Sequence, residues 1–365
     1  MCVRTRFYNI LYTFILELGI IPVISFENIS QIVDLAIGID IGGTSTKIAA
    51  VNSDGQIIER QTLLMKGFNN EWDYFYALFA TIRLLFNHLS NNQIIGIGIG
   101  SPSCIPERGI IKGAANLPFS YEVEIIKILE AEFKLPTYLI KDGNAAALGE
   151  GKFGAAKNMT NFIVLTLGTG LGCGIITNNQ IISGHFGQAG ELGHSTIKEG
   201  GRICGCGRRG CLETYVSATG IKRTTFKLLA DFDTKSPLRD ITYNELTAKK
   251  ISQEALRGDP IAQKAFIYTA ECLGKELANL VTLFEPEAFF LAGGLAEAGD
   301  LLFEPTIATM ENRLMGFYKG KIKILPSALK TNEAAILGPA SMVWRNYNSN
   351  KNALAKLPIS IRNEV

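Results

Sequence analysis

A chain of 365 residues is longer than one hydrophobic core usually organises, which excludes a mini-protein and predicts two domains or one large α/β unit. Apolar residues make up 47% and charged residues 19%, without a low-complexity tract, so disorder is excluded and a sizeable core is expected. Thirty-six Lys plus Arg against 34 Asp plus Glu leave a net charge of +2 with no long basic run, which gives no footprint for nucleic acid or an anionic membrane and directs attention to a small-molecule partner.

Arg4 and Arg6 precede an apolar stretch over 7–26 that has the outline of an export signal or membrane anchor. Asn9, Glu17 and Pro22 interrupt it, and no small-residue cleavage site follows before Glu27, so 1–34 is read as an extension of unknown role. Order begins at Leu35. A buried-strand run, Leu35 to Ile39, ends in Asp40-Ile41-Gly42-Gly43-Thr44-Ser45-Thr46-Lys47; a second strand follows over Ile48 to Val51, a turn at Asp54-Gly55, and a third strand from Gln56 to Ile58. The same plan recurs from Phe162 to Leu167, through a glycine loop spanning Gly168 to Gly174, to Ile175-Ile176, a turn at Asn178-Asn179, and Gln180 to Ile182. Two lobes of similar construction are implied.

Between these units, Glu71 to Leu89 reads as a helix, with further strands at Ile94 to Ile99 and Thr137 to Ile140. Ile261 to Phe284 is the clearest helix, placing Ile261, Ala265, Leu273, Leu277, Leu280 and Phe284 on one stripe and Lys264, Glu271 and Lys275 on the other face. Strands at Ala288 to Leu291 and Lys321 to Leu325 complete an alternating α/β pattern. Boundaries fall near Gly143 and Thr331, giving one lobe of 35–143 plus 333–350 and another of 144–332.

Three glycine sites follow apolar strands. A loop of small residues at a strand end lets backbone N–H groups approach phosphate oxygens, and Thr44 and Lys47 would add a hydroxyl and a positive charge. Neither of the first two loops matches the P-loop or dinucleotide spacing, and a tight hairpin is the competing use of each. The third, Gly293-Gly294, suits close approach by a nucleotide base or ribose. Lys141-Asp142-Gly143-Asn144 lies between a strand and an alanine-rich helix. There Asp142 is either a helix N-cap or a carboxylate that takes a proton from a substrate hydroxyl.

His194, Cys204, Cys206 and Cys211 form H-x9-C-x-C-x4-C, three thiolates and one imidazole, the donor set of a closed tetrahedral zinc site. Glycines at 193, 200, 201, 205, 207 and 210 let the loop wrap one ion. A closed site has no position for water, so the zinc is expected to be structural. His185 competes with His194 as the fourth ligand, and His88 reads as a helix-surface residue.

Asp40-Ile41-Gly42-Gly43-Thr44, the second glycine loop, Lys141 to Asn144, Gly190-Glu191-Leu192-Gly193-His194 and the run from Cys204 to Glu213 together resemble the ROK family of repressors, open reading frames and sugar kinases. The resemblance runs from about Leu35 to Trp344 and implies a two-lobed, actin-like ATPase (ribonuclease H-like) α/β fold closing over ATP and a hexose, with a structural zinc loop. It implies Asp142 as catalytic base and Asn116, Asn144, Glu191, His194 and Glu213 around the sugar. It further implies Asp40 near Mg²⁺, and Gly42, Gly43, Thr44, Lys47, Gly168, Thr169, Gly170, Gly293 and Gly294 at the nucleotide. The implied activity is ATP-dependent phosphorylation of a hexose, glucose at its 6-hydroxyl in the first place, by a cytoplasmic homodimer. Kinases of N-acetylmannosamine, N-acetylglucosamine, mannose or fructose share most of these contacts. A sugar-responsive repressor of the family carries a DNA-binding domain ahead of this part, and the 34 residues before Leu35 are fewer than the roughly 50 such a domain needs.

Overall fold

A computed structural model of the chain describes residues 33–68, 70–89, 92–112, 119 and 121–355. The unit described begins at Asp34, so the reading of 1–34 falls almost wholly outside these residues, as does Asn116.

Strand β1 (Asp34–Ile41) is buried along nearly its whole length and pairs antiparallel with β2 (Ser45–Val51), which pairs antiparallel with β3 (Ile57–Leu64). Helix α1 (Glu71–His88) is capped by the Asn70 side chain, which accepts from the Trp72 and Asp73 amides, and buries Tyr74, Phe75, Leu78, Phe79, Ile82 and Leu85 at helical spacing. Strand β4 (Gln93–Gly100) returns parallel to β1. A short hairpin, β5 (Cys104–Ile105) with β6 (Ile110–Ile111), and helix α2 (Ile125–Phe133) lead to β7 (Thr137–Ile140), parallel to β4. The first sheet is thus ordered β3-β2-β1-β4-β7.

After helix α3 (Asp142–Phe153) the pattern repeats: β8 (Phe162–Leu167), β9 (Leu171–Thr177) and β10 (Gln180–Ile181) form an antiparallel meander. A long loop leads to α4 (Ala218–Asp231), α5 (Ala248–Leu256) and α6 (Pro260–Phe284). Strands β11 (Ala288–Ala292) and β12 (Lys323–Pro326), separated by α7 (Asp300–Glu311), add parallel to β8. The second sheet is ordered β10-β9-β8-β11-β12, the plan of the first. The recurrence read in the sequence is therefore a recurrence of topology. The last helix, α8 (Thr331–Ala355), returns to the first sheet, burying Ile336, Leu337, Ala340, Val343 and Trp344 with Ala36, Ala49 and Val51.

Two features depart from the sequence reading. The glycine loop expected over Gly168 to Gly174 is only a three-residue turn, because Gly172 and Gly174 belong to β9. A Cβ on Gly174 would sit 2.3 Å from the Gly143 carbonyl oxygen, so that glycine makes room for α3. Helices α4, α5, α7 and α2 have no counterpart in the sequence reading. The first two are mostly polar and start on single-residue caps, Ser217 and Thr247, whose hydroxyls accept from the amides of Gly220 and Lys250.

Helices α3 and α8 meet backbone to backbone at Gly338, where a Cβ would lie 2.4 Å from the Ala145 carbonyl oxygen. Alanine is normally the better helix former by about 1 kcal/mol. Here the contact is with main chain and cannot rotate away, so Gly338→Ala should destabilise by about 1–3 kcal/mol. Gly316→Ala, placed in open space, should be near neutral. Thermal melts of the two variants give the comparison, and equal midpoints would contradict it.

Candidate active site

Asp142 is the first residue of α3, not its cap. Lys141 occupies the cap position without a side-chain cap bond, and the Asp142 carboxylate accepts from the Gly143 amide at 2.7 Å. The chain turns directly from β7 into α3 because Gly143 lies on β9: a Cβ there would be 2.6 Å from the Cys173 carbonyl oxygen and 2.8 Å from its nitrogen. This contact holds the carboxylate at the carboxyl end of the first sheet.

Asp142 lines a cavity of about 680 Å³, together with Asp40 at the end of β1, Lys141, Glu191, Glu213, the turn Gly168-Thr169-Gly170, Gly293 and the start of α8. Strand ends of both sheets contribute, the usual place for ligands in such sheets. A second cavity of about 460 Å³ shares Ala292 and Gly293 with the first and extends along Glu297 and Ser327 to Lys330.

Burial sets the electrostatics. It raises the Asp142 carboxyl above the usual range, against the Gly143 amide and Lys141 and with the help of the Glu191 charge. Asp40 is pushed up to about 6, mainly by burial; Lys47, its cross-strand partner, opposes this, and Asp142 reinforces it. Two desolvated carboxyls beside one cavity form a site that gains when a cation or a proton arrives.

Glu191 precedes a short 3₁₀ turn (Leu192–His194) and is half-exposed, its carboxylate paired with the Lys141 ammonium. Lys141 also reaches Gln188 at 3.5 Å, and Gln188 donates to the Cys104 carbonyl at 3.4 Å. Lys141 was given no role from sequence, although its place beside Asp142 was visible. Asn144 is buried on α3, with its Oδ1 3.9 Å from where a Gly190 Cβ would stand.

Glu213, on a second 3₁₀ turn (Leu212–Thr214), faces two ways. One oxygen lies 2.9 Å from Cys204 Sγ and 3.6 Å from His194 Nδ1, while the other would be 2.8 Å from a Cβ on Gly170. Helix α4 clamps the same glycine turn: the Ala218 amide donates to the Gly168 carbonyl and the Thr219 hydroxyl to the Thr169 carbonyl, each at 2.8 Å.

The ligand atoms of His194, Cys204, Cys206 and Cys211 lie within 4.8 Å of one another. Cys206 Sγ and Cys211 Sγ are 3.6 Å apart, as are Cys204 Sγ and His194 Nδ1. Two thiolates at about 2.3 Å from one tetrahedral ion would stand about 3.7 Å apart, close to the Cys206–Cys211 separation, so the chemistry and spacing of this donor set suit zinc. His185 instead stacks edge-on against Phe186 and is not in the cluster. Arg202, unremarked in the sequence, fastens the loop. Its guanidinium donates to the Thr214 and Gly220 carbonyls and to Thr224, and lies 4.4 Å over the Tyr215 ring.

The first glycine loop is a hairpin turn in which the Gly42 amide donates to the Ser45 carbonyl at 3.1 Å, leaving Gly43 and Thr44 exposed. Gly42, Gly43, Thr44 and Lys47 do not line the large cavity, whereas Asp40, at the base of that turn, does. Gly293 adopts φ +89° with the end of β8 where its Cβ would be, 2.7 Å from the Leu167 carbonyl oxygen; Gly294 is exposed. Among the described residues, no helix is long and apolar enough to cross a membrane.

The family model for the ROK family matches residues 36–346. The chain is 34% identical over 322 residues to a glucokinase of Halalkalibacterium halodurans, covering 86% of this chain and 96% of that protein. It is 33% identical over 320 residues to a xylose repressor of Caldicellulosiruptor bescii, covering 84% of this chain and 77% of the repressor. Among solved structures, a ROK family glucokinase from Streptomyces griseus in complex with glucose and AMPPNP matches with a TM-score of 0.70 at 30% identity, over 85% of this chain and 99% of that one. A sequence match spanning both sheets and the Cys/His loop, joined to this agreement in fold, means that the chain belongs to the ROK family.

Proposed function

We propose that the protein is an ATP-dependent hexose kinase that transfers the γ-phosphoryl group to the 6-hydroxyl of glucose, with Asp142 as general base. The observation that carries this reading is the placement of the Asp142 carboxyl, buried and held by one backbone amide, in a cavity that also contains the Gly168 to Gly170 turn. Similarity to glucokinases and to a glucose and AMPPNP complex supports the substrate pair.

In this reading the lobes 35–143 with 333–350 and 144–332 close over the substrates and exclude water. The sugar lies against Asn116, Asn144, Glu191, His194 and Glu213, where carboxylates and carboxamides grip neighbouring hydroxyls by paired hydrogen bonds. The triphosphate runs along the glycine turn at 168–170, the turn at 42–44, outside the cavity here, meets it when the lobes close, and the base and ribose take the adjoining cavity at Gly293-Gly294. Asp40 would hold Mg²⁺, which would supply neutralisation of phosphate charge there. Asp142 accepts the proton of the attacking hydroxyl, and its raised affinity for protons makes it a stronger base than an exposed carboxylate. Lys141, adjacent to it, holds Glu191 until a sugar hydroxyl competes for that carboxylate. Cytoplasmic residence and a homodimer, to be checked by light scattering, belong to the same reading.

The xylose repressor similarity favours a second reading, a sugar-responsive regulator using the same pocket. Hexose-dependent ADP release across a panel of glucose, mannose, fructose and the N-acetylated hexosamines separates the two, and its absence for every sugar would exclude the kinase. Asp142→Asn preserves shape and the amide contact, so kcat should fall by roughly 10² to 10⁴ with sugar affinity little changed. Near-normal kcat would remove Asp142 from the chemistry. Because the base works ionised and its pKa is raised, kcat/KM should decline on acidification at a pH above the ordinary carboxylate range, the ionised fraction falling as pH drops through that pKa. A profile flat down to about pH 4 would contradict the assignment.

Zinc is proposed to build the sugar site without meeting the phosphoryl group, since four protein donors leave no coordination position for a reacting oxygen. Cys206→Ala or chelation should weaken hexose binding and lower thermal stability while sparing nucleotide binding, and elemental analysis should find one zinc per chain. Hexose affinity that survives complete zinc loss would show that the loop needs no metal.

A further inference from the structure

Further along α3 from Asp142 lies a separate cavity of about 290 Å³ that shares no lining residue with the two at the strand ends. Its walls are the second half of α3, the segment after it, the β8 and β9 strands and the middle of α8. Met159, Phe162 and Ile176 give it an apolar floor. Lys152, Lys157 and Arg345 give it three cations and no carboxylate. Among the described residues none of the three forms an ion pair: Arg345 bonds the Gln180 carboxamide and Lys152 faces the Phe153 ring at 6.0 Å. With a net charge of only +2 over 365 residues, three uncompensated cations round one cavity are a local concentration and not a reflection of a basic protein. They come from positions 152, 157 and 345, so no basic run announces them in the sequence.

We propose that this cavity binds a phosphomonoester whose organic part is about the size of one sugar ring. A phosphomonoester carries close to two negative charges at neutral pH, which three cations match better than a single carboxylate would. Arg345 supplies a planar fork for two phosphate oxygens, Lys152 and Lys157 act as point charges, and the carboxamides of Asn179 and Asn348 stand among the lining residues for hydroxyls. A cavity of this size, at the small end of ligand pockets, matches a monosaccharide phosphate in volume. The ligand would join α3, which carries Asp142 at its other end, to α8, which packs on the first sheet. Occupancy would therefore fix the relation between the two sheets from behind the cleft. Binding here does not depend on the kinase reading.

The test is lysine footprinting on the full chain. A small acylating reagent is applied with and without hexose 6-phosphate, and separately with inorganic phosphate, and modification is read by mass spectrometry. At about ten times Kd of hexose 6-phosphate, acylation of Lys152 and Lys157 should slow about tenfold while exposed Lys249 is unchanged. Inorganic phosphate should protect the same two lysines at higher concentration, since it lacks the part that meets the apolar floor. Arg345→Gln, which keeps a polar side chain, should weaken protection about tenfold or more, and Asp142→Asn should leave it intact. No protection of these lysines by either compound, protection unchanged in Arg345→Gln, or inorganic phosphate protecting as well as the ester would each overturn the proposal.

Discussion

The contact on which the site depends is between two backbones. Helix α3 rests its first turn on β9 with Gly143 facing Cys173 and Gly174, at distances that no side chain would permit. The consequence is positional: the residue before Gly143 is held at the junction of the two sheets, and that residue is Asp142. The same economy of side chains recurs where α3 meets α8 at Gly338 and where α8 lies on β4, with a Cβ on Gly98 only 2.1 Å from the Pro339 carbonyl oxygen. A stack of β9, α3, α8 and β4 is thus joined through main chain. Such joints resist small adjustment, because interiors at this density transmit displacement instead of absorbing it.

Burial at the end of this stack has an electrostatic price. Asp40 and Asp142 both lose water, and each raises its affinity for protons in response. In an isolated domain that is a destabilising arrangement, since a charge without solvent costs free energy until something compensates it. The partial compensators are Lys47 for Asp40, and Lys141 with the Gly143 amide for Asp142. Because burial wins in both cases, the site is poised for a cationic ligand, and a base of raised proton affinity suits abstraction from a hydroxyl.

Much of this was legible in the sequence, for physical reasons that differ by element. Strands β1, β8 and β11 are buried on both faces and therefore read as unbroken apolar runs, and α6 shows its stripe because one face meets the core. The cluster of three thiols and one imidazole could be read because all four residues share one short segment with the spacing of metal ligands. The extent of the second glycine loop could not: Gly172 and Gly174 look like turn residues locally, and only the distant helix lying on them makes them strand residues. Helices α4 and α5 were missed because they are polar and short, with stability drawn from caps and from packing on α6. The role of Lys141 was missed because its partner, Glu191, is fifty residues away.

The long loop between β10 and α4 shows how such a segment can be ordered without a core of its own. It is rich in glycine, and its backbone forms two 3₁₀ turns, scattered turn hydrogen bonds and the isolated bridges of Thr196 with Cys211 and Ile203 with Arg209, but no helix or strand of length. Order comes from two cross-links of different kind. At one end the cluster of His194, Cys204, Cys206 and Cys211 gathers the loop upon itself; at the other Arg202 ties it to Thr214 and to the first turns of α4. Glu213 stands between them, its two oxygens divided between the cluster and the Gly168 to Gly170 turn. Its position is therefore set from both sides, and so is the position of the turn it touches, which α4 also clamps. The Cys/His cluster and the glycine turn share one carboxylate, so a loosened loop displaces Glu213 at the cavity wall, while the two α4 bonds keep the turn itself in place.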